Sequence, residues 1–430
     1  MKADFIVHNL KQLVTCASGG KAKKGSQMQN AEIIENGAFA VKDGLIISVG
    51  DSEEILSQFE SKKTLDAKQK VGCPAFVECH THIVFAGDRF AEFELKIKGA
   101  DYLELLQSGG GILSTVRQTR EADLRELIEQ SKNRLDKLLA LGVTTCEIKT
   151  GYGLNFETEL KMLEAIAELD KAHTVELIPT FLPAHAVPPE YFGKANQYVE
   201  IICTEMIPKA AEWFKNSHFT KKQTQHSSLI TQHFFIDVFC EKNAFDLEQS
   251  RRVLETAKSH GFKIKAHVDE FTNLGGARMA IELGATSIDH LDTISAEEIK
   301  LLAASDTIGV VTPTVNFNFG SSDFADARQL IDNGCAIAVS TDYNPGSAPC
   351  PSLPTAMAIA CRYQKILPAE AINAVTINAA FAVGLGKKLG SIEVGKSADF
   401  LVLDSSDYRE VCYEFGGNLI ESIYKNGQKC

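Results

Sequence analysis

Two histidines, His80 and His82, close an apolar run in FVECHTHIVFAGDRF, residues 76–90. Histidine is a poor filler for a buried strand, and residues i and i+2 of a strand project to the same face. Two imidazoles on one face make half of a metal site. Three further groups stand at the ends of later β-rich runs: His267 in KAHVDE, His290 in IDHL and Asp342 in VSTD. Neutral imidazoles with a carboxylate suit one Zn2+ or Fe ion. A metal held there would make hydroxide from water near neutral pH. Glu270 follows His267 by three residues. It is placed to act as a base on that water or to reach a substrate nitrogen. Asp342 could share the base role while ligating. His290 suits either of two tasks, polarising a carbonyl or orienting Asp342.

The elements that must position these groups follow from hydrophobic periodicity. From residue 71, β-rich runs alternate with helical patterns. Leu124, Leu127, Ile128, Leu135 and Leu138 share one helical face. Eight strands are expected, ending near His82, Thr150, His185, Glu241, His267, His290, Thr314 and Asp342. Eight parallel strand–helix units predict an α/β fold of the TIM type, a (β/α)8 barrel, whose active site assembles at the carboxyl ends of its strands. Before residue 70 the runs are short and turn-rich, and Asp43-Gly44 marks a hairpin. After residue 366 a helix leads into GSIEVGKSADFLVLD and LIESIYKNGQKC, which read as strands. The expected organisation is a small β-sandwich built from residues 1–70 and 367–430, beside a barrel over 71–366. The polar stretch 215–233 reads as a surface insertion. SGGGILS at 108–114 lacks the GK[ST] ending of a phosphate loop and reads as a flap near the barrel mouth.

Composition narrows the partners. The chain has 430 residues, a net charge of −12 and 44% hydrophobic residues. An acidic balance argues against nucleic acid or an anionic membrane as partner, and leaves room for a small anionic substrate met by a local arginine. No run approaches the length of a membrane span, and the N-terminus lacks an apolar signal core. Eleven cysteines lie singly, without a CxxC pair. They read as buried free thiols of a reducing cytoplasm. A homodimer is the default assembly.

The quoted residues resemble the amidohydrolase superfamily: HTH at strand one, histidines at strands five and six, Asp at strand eight, and the late GKSADFLVLD. HTHIVFAGDR, SGGGILSTVRQTR, EIKTGYGL, PTFLPAHAVP, AHVDEF and STDYNPGSAP resemble its imidazolonepropionase family over nearly the whole chain. The resemblance implies metal ligands at His80, His82, His267 and Asp342 and a mononuclear site. Lys149 and Lys242 are the lysines that could contradict it by bridging two metals. It implies hydrolytic opening of an imidazolone ring bearing a propionate tail. Arg89 can pair with that carboxylate. Tyr152 sits between glycines in KTGYG, and His185 at the end of strand three can meet the ring or the carboxylate. In the family the loop carrying Asn344, Gly346 and Ser347 contacts the propionate end. Tyr102 in GADYLELL suits either of two places, closing over the site or packing as a core tyrosine on a helix.

Two rival readings accompany this one. A purine or pyrimidine deaminase would also use a His-x-x-Glu after strand five, but a neutral base needs no carboxylate clamp. A catalytically silent scaffold on the same fold should have lost ligands, and this chain retains each one.

Overall fold

A computed structural model describes residues 1–99, 110–220 and 234–430. Strands are numbered along the chain. Eight of them follow one another in a single parallel sheet: β6 (Phe76–Glu78), β7 (Val143–Lys149), β8 (Glu176–Ala184), β9 (Phe235–Cys240), β10 (Lys263–Val268), β11 (Ser287–His290), β12 (Ile308–Val311) and β13 (Ile337–Val339). The sheet curls until its last strand meets its first. There the Glu78 carboxylate receives the Ser340 hydroxyl and, at 2.7 Å, the Thr341 hydroxyl. Beyond it the His82 N–H donates to the Tyr343 carbonyl at 3.0 Å. The expected TIM-type barrel is the fold.

Its helices show why the chain adopts it. Leu124–Ala140 begins at Asp123, whose carboxylate accepts the Glu126 N–H, and it buries Leu127, Leu135 and Leu138 on the barrel. Truncating one of these leucines to alanine costs about 2–5 kcal/mol. The strands are buried on both faces, so polar groups inside them need partners. At the lower end of the barrel Ile377–Ala382 packs against Val77, Ile308, Val310 and Ala338.

The remaining strands join into a second sheet fed from both chain ends: β1 (Phe5–Val14), β2 (Ile33–Lys42), β3 (Leu45–Asp51), β4 (Thr64–Asp66), β5 (Val71–Pro74), β14 (Phe400–Leu403), β15 (Ile420–Lys425) and β16 (Gln428–Lys429). They are hydrogen-bonded edge to edge as one continuous sheet, with apolar clusters around Phe39 and Phe400 and around Ile6 and Phe59. The β2–β3 hairpin turns at Asp43-Gly44, both left-handed at φ 51° and 77°. β5 runs directly into barrel strand β6.

Two expectations change and a third is refined. β12 stops at Val311 rather than near Thr314, because Pro313 lacks an N–H and opens the helix Pro313–Phe319. The segment 215–233 does not begin as a surface insertion. Lys215 and Asn216 finish the helix Ile207–Asn216, and Phe219 is fully buried. Its remainder, 221–233, lies outside the described residues. Within SGGGILS, Gly110 and Gly111 stand before the helix Ile112–Glu121, so residues 112–114 are its first turn, and Gly111, Ile112 and Leu113 line the cavity at the barrel mouth. Among the described residues no helix is long and apolar enough to cross a membrane.

Candidate active site

The carboxyl ends of the barrel strands surround a cavity of about 1170 Å3. His80 lies beneath its floor. His82, His267, His290 and Asp342 line the floor, each no more than 4% exposed. His82 Nε2 is 3.3 Å from His267 Nε2 and 3.5 Å from Asp342 Oδ1. His80 Nε2 is 3.4 Å from the same Asp342 oxygen. His80 Nε2, His290 Nε2 and Asp342 Oδ1 are buried without a hydrogen-bond partner. Buried polar atoms do not normally converge unpaired. These three separations match those between ligands ~2.0–2.1 Å from a tetrahedral centre, which stand about 3.3–3.4 Å apart. His80, His82 and Asp342 form one group whose donor atoms suit a divalent metal, and His267 lies beside it against His82. His290 joins a wider cluster with His80 and His267, and His185 one with His82 and His267.

The far sides of the rings are held from inside the barrel. His80 Nδ1 meets Asp289 Oδ2 at 2.7 Å. His267 Nδ1 lies 3.0 Å from Asp237 Oδ2, close enough for an ion pair though off the line of a straight hydrogen bond. A carboxylate on one ring nitrogen leaves the lone pair of the other facing the centre. Burial pushes the imidazoles of His80, His82 and His290 well below their ordinary pKa, so they are neutral. Burial would by itself raise Asp237, but His267 and Lys149 hold it well below the usual carboxylate range.

Glu270 sits above this cluster, one residue past a left-handed Asp269 at φ 56°. Its Oε2 is 3.9 Å from His290 Nε2. Burial, and then Asp342, raise the Glu270 pKa well above the usual carboxylate range. His290 and Asp342 are left-handed too, at φ 84° and 50°. Backbone strain of this kind at three strand ends, about 1–3 kcal/mol each, is a mark of functional sites.

The expected substrate residues form the cavity wall. Arg89 is nearly buried. Its Nε donates to Glu92 Oε2 at 2.6 Å, and its Nη2 also pairs with the Glu92 carboxylate. The guanidinium therefore already spends one bidentate edge inside the protein, and Nη1 is turned towards Gly346. A Cβ on Gly346 would lie 2.6 Å from that Nη1. Tyr152 packs against His82 and His185, with ring centroids 5.9 and 5.5 Å away. Gly151, at φ 103°, permits this, since a Cβ there would stand 2.7 Å from His185 Nδ1. The His185 ring stacks on His82 at 4.9 Å, and its Nδ1 meets the Gly151 carbonyl at 3.0 Å. Asn344 knits its own loop: its Oδ1 accepts the N–H groups of Gly346 and Ser347, and its Nδ2 donates to Asp342 O and Ser347 Oγ. Asn344, Gly346 and Ser347 all line the cavity. Tyr102 lies outside the described residues.

The chain matches the imidazolonepropionase of Chloroflexus aggregans at 48% identity over 425 residues, 99% of this chain and 98% of that one. It matches the same enzyme of Herpetosiphon aurantiacus at 45% over 427 residues, 99% of this chain and 97% of that one. The chain belongs to the imidazolonepropionase family. A sequence profile of the amidohydrolase family also matches residues 241–429. Solved structures share the imidazolonepropionase fold at much lower identity. The guanine deaminase of E. coli superposes with TM-score 0.72 at 16% identity, covering 99% of each chain. A zinc-bound adenosine deaminase from Xanthomonas campestris gives 0.70 at 19%, covering 100% of this chain and 93% of that one. That likeness concerns the barrel and its terminal sheet.

Sequence reasoning missed Asp237, Asp289, Glu92 and Thr312. The signal was present for Asp237, a carboxylate inside the otherwise apolar strand FIDVFC, which burial tolerates only with a partner; Asp289 stands in SIDH with the polar Ser287 and His290 and carried no such mark. Of the two lysines that could bridge metals, Lys242 is exposed and Lys149 is fully buried. Its ammonium is surrounded by Asp237, Glu147 and Asp289 at 2.7, 3.1 and 3.4 Å. Burial opposes its charge, but these carboxylates outweigh burial and raise its pKa.

Proposed function

We propose that this protein hydrolyses 4-imidazolone-5-propanoate to N-formimidoyl-L-glutamate, with one Zn2+ or Fe ion held by His80, His82, His267 and Asp342. The observation that carries the reading is one cavity that joins a nitrogen-rich hydrolytic floor to the Arg89 cation on its wall. A bound metal ion would supply Lewis acidity and a hydroxide nucleophile near neutral pH.

The chain's own groups divide the remaining work. Water adds across the ring C–N bond: oxygen joins the acyl carbon, and the departing nitrogen takes a proton. Glu270 is the group that carries that proton, first from water to its carboxylate and then to the nitrogen. Its raised pKa suits both directions. Thr312 Oγ1 lies 3.1 Å from His290 Nδ1. With the hydroxyl donating there, His290 Nε2 carries the hydrogen and points it at the carbonyl oxygen as charge develops. No hydrogen bond or ion pair joins His290 to Asp342 among the described residues, so the oxyanion role is favoured over an orienting one. His185 gives its Nδ1 hydrogen to Gly151 and keeps Nε2 to accept a ring N–H. Tyr152, its pKa raised by burial and then by Asp342, stays a neutral donor. Arg89 takes the propionate through the Nη1 end left open by Glu92, beside Gly346 and Ser347.

The test is the ultraviolet decay of imidazolonepropionate formed in place from urocanate, with native, metal-stripped and Glu270→Gln protein. Fast decay with native protein alone supports substrate and metal together. No acceleration by metal-loaded native protein refutes the substrate.

A further inference from the structure

Beneath the floor lies a charged layer with no exposure to solvent. Glu147, Lys149, Asp237, Lys265 and Asp289 are each 0% exposed. Lys265 serves Glu147 at 2.7 Å and the Cys79 carbonyl at 3.0 Å. Lys149 does something different. The Asp237 oxygen that it contacts at 2.7 Å, Oδ2, is the oxygen that faces His267 Nδ1. The Asp289 oxygen 3.4 Å from it, also Oδ2, is the one that meets His80 Nδ1. One ammonium thus touches both carboxylate oxygens that orient two of the four proposed ligands. Its backbone joins in as well, for the Lys149 N–H donates to the carbonyl of Thr81, between His80 and His82, at 2.8 Å.

The opposite oxygens of the two carboxylates are occupied. Asp289 Oδ1 takes the Ser287 hydroxyl at 2.6 Å, and Asp237 Oδ1 takes the His267 N–H at 3.1 Å. Each carboxylate is therefore fixed in rotation by a side bond and in position by the lysine. Without the ammonium, both buried anions would lose the counter-charge they share, with Asp289 left only the charge of Lys265, and would be freer to turn towards another cation.

We infer that Lys149 is a positioning residue for the metal: by bridging Asp237 and Asp289 it holds His80 and His267 on one centre and keeps that centre to a single ion. The inference rests on the metal site proposed above. It assigns the lysine no contact with substrate.

The test uses full-length protein and the variants Lys149→Gln, Asp237→Asn and Asp289→Asn. Zn2+ affinity is read by competition with a chromophoric chelator, stoichiometry by elemental analysis, and metal-free stability by thermal melting. Groups that orient metal-ligating histidines typically change metal affinity by about 10–100-fold. Lys149→Gln is expected to weaken Zn2+ binding by that factor while KM at saturating metal stays unchanged. Adding Asp237→Asn to it should cost less than the product of the two single effects, because both act along one chain of contacts. A second equivalent of metal in the variant would also uphold the inference. Native Zn2+ affinity in folded Lys149→Gln overturns it, and a lowered metal-free melting temperature alone would mark the lysine as merely structural. Should that variant not fold, the two Asp→Asn proteins decide: weakened binding in both upholds the inference, and native affinity in both overturns it. If native protein binds no metal, the metal site itself falls and the role of Lys149 falls with it.

Discussion

Gly346→Ala offers a severe test of the substrate clamp. The new Cβ would stand 2.6 Å from Arg89 Nη1, 3.1 Å from Cζ and 3.4 Å from Nη2. Ordinary contact between such atoms is about 3.5–4.0 Å, so the guanidinium must retreat by roughly 1 Å. It has little freedom to do so. Its Nε and Nη2 are tied to Glu92, and Glu92 also accepts the Gly111 N–H at 2.9 Å. The loop cannot simply swing away, because the Gly346 N–H is bonded to Asn344 Oδ1 at 2.8 Å. Losing a hydrogen bond to a charged group costs about 1.5–3 kcal/mol, which is a rise of about 10- to 150-fold in KM. Steady-state kinetics on imidazolonepropionate should show that rise with kcat changed by less than about threefold, the pattern of lost uniform binding. Metal content should not change. Arg89→Met should raise KM similarly, and the double variant should go no further. An unchanged KM in Gly346→Ala, or additive effects in the double variant, would refute the clamp.

Three other outcomes are expected. Glu270→Gln should abolish turnover with metal still bound by elemental analysis; normal hydrolysis would mean another group carries the proton. Chelation should remove activity, and restoring metal at about 100 times its Kd should stabilise the fold by about 2.7 kcal/mol, read as a higher melting temperature; an unshifted melt would argue against a resident ion. Burial, and then the neighbouring His267, lower the His185 pKa to about 3. The unfolded chain titrates near its ordinary ~6.5, so between those values it binds more protons than the native state, and stability falls as pH drops through that window. Denaturant melts of metal-free protein between about pH 4 and pH 7 should therefore slope less steeply in His185→Gln, by up to ~1.4 kcal/mol per pH unit; equal slopes would show that His185 does not contribute.

Much of the site was legible because it is written in local patterns. Alternation and helical periodicity place strand ends, and strand ends are where a barrel gathers its chemistry. His80, His82, His267, His290 and Asp342 could be grouped on that ground alone. The Asn344 loop and the Asp43-Gly44 turn are local as well, since their bonds close within a few residues. Glu92 was within reach at i+3 from Arg89, but a helical ion pair on a sequence has no mark that sets it beside a cavity.

The residue types of the floor, their order along the chain and the barrel that carries them were determined by the sequence itself. Tertiary structure alone decided how those groups are held. Lys149 is separated from Asp237 by 88 positions and from Asp289 by 140, and His80 from Asp289 by 209. No local pattern relates such residues. Only closure of the sheet brings them within hydrogen-bond reach, and only burial makes each unpaired charge costly enough to select its partner. That same closure set Lys149, a candidate metal bridge on sequence alone, among the carboxylates beneath the floor.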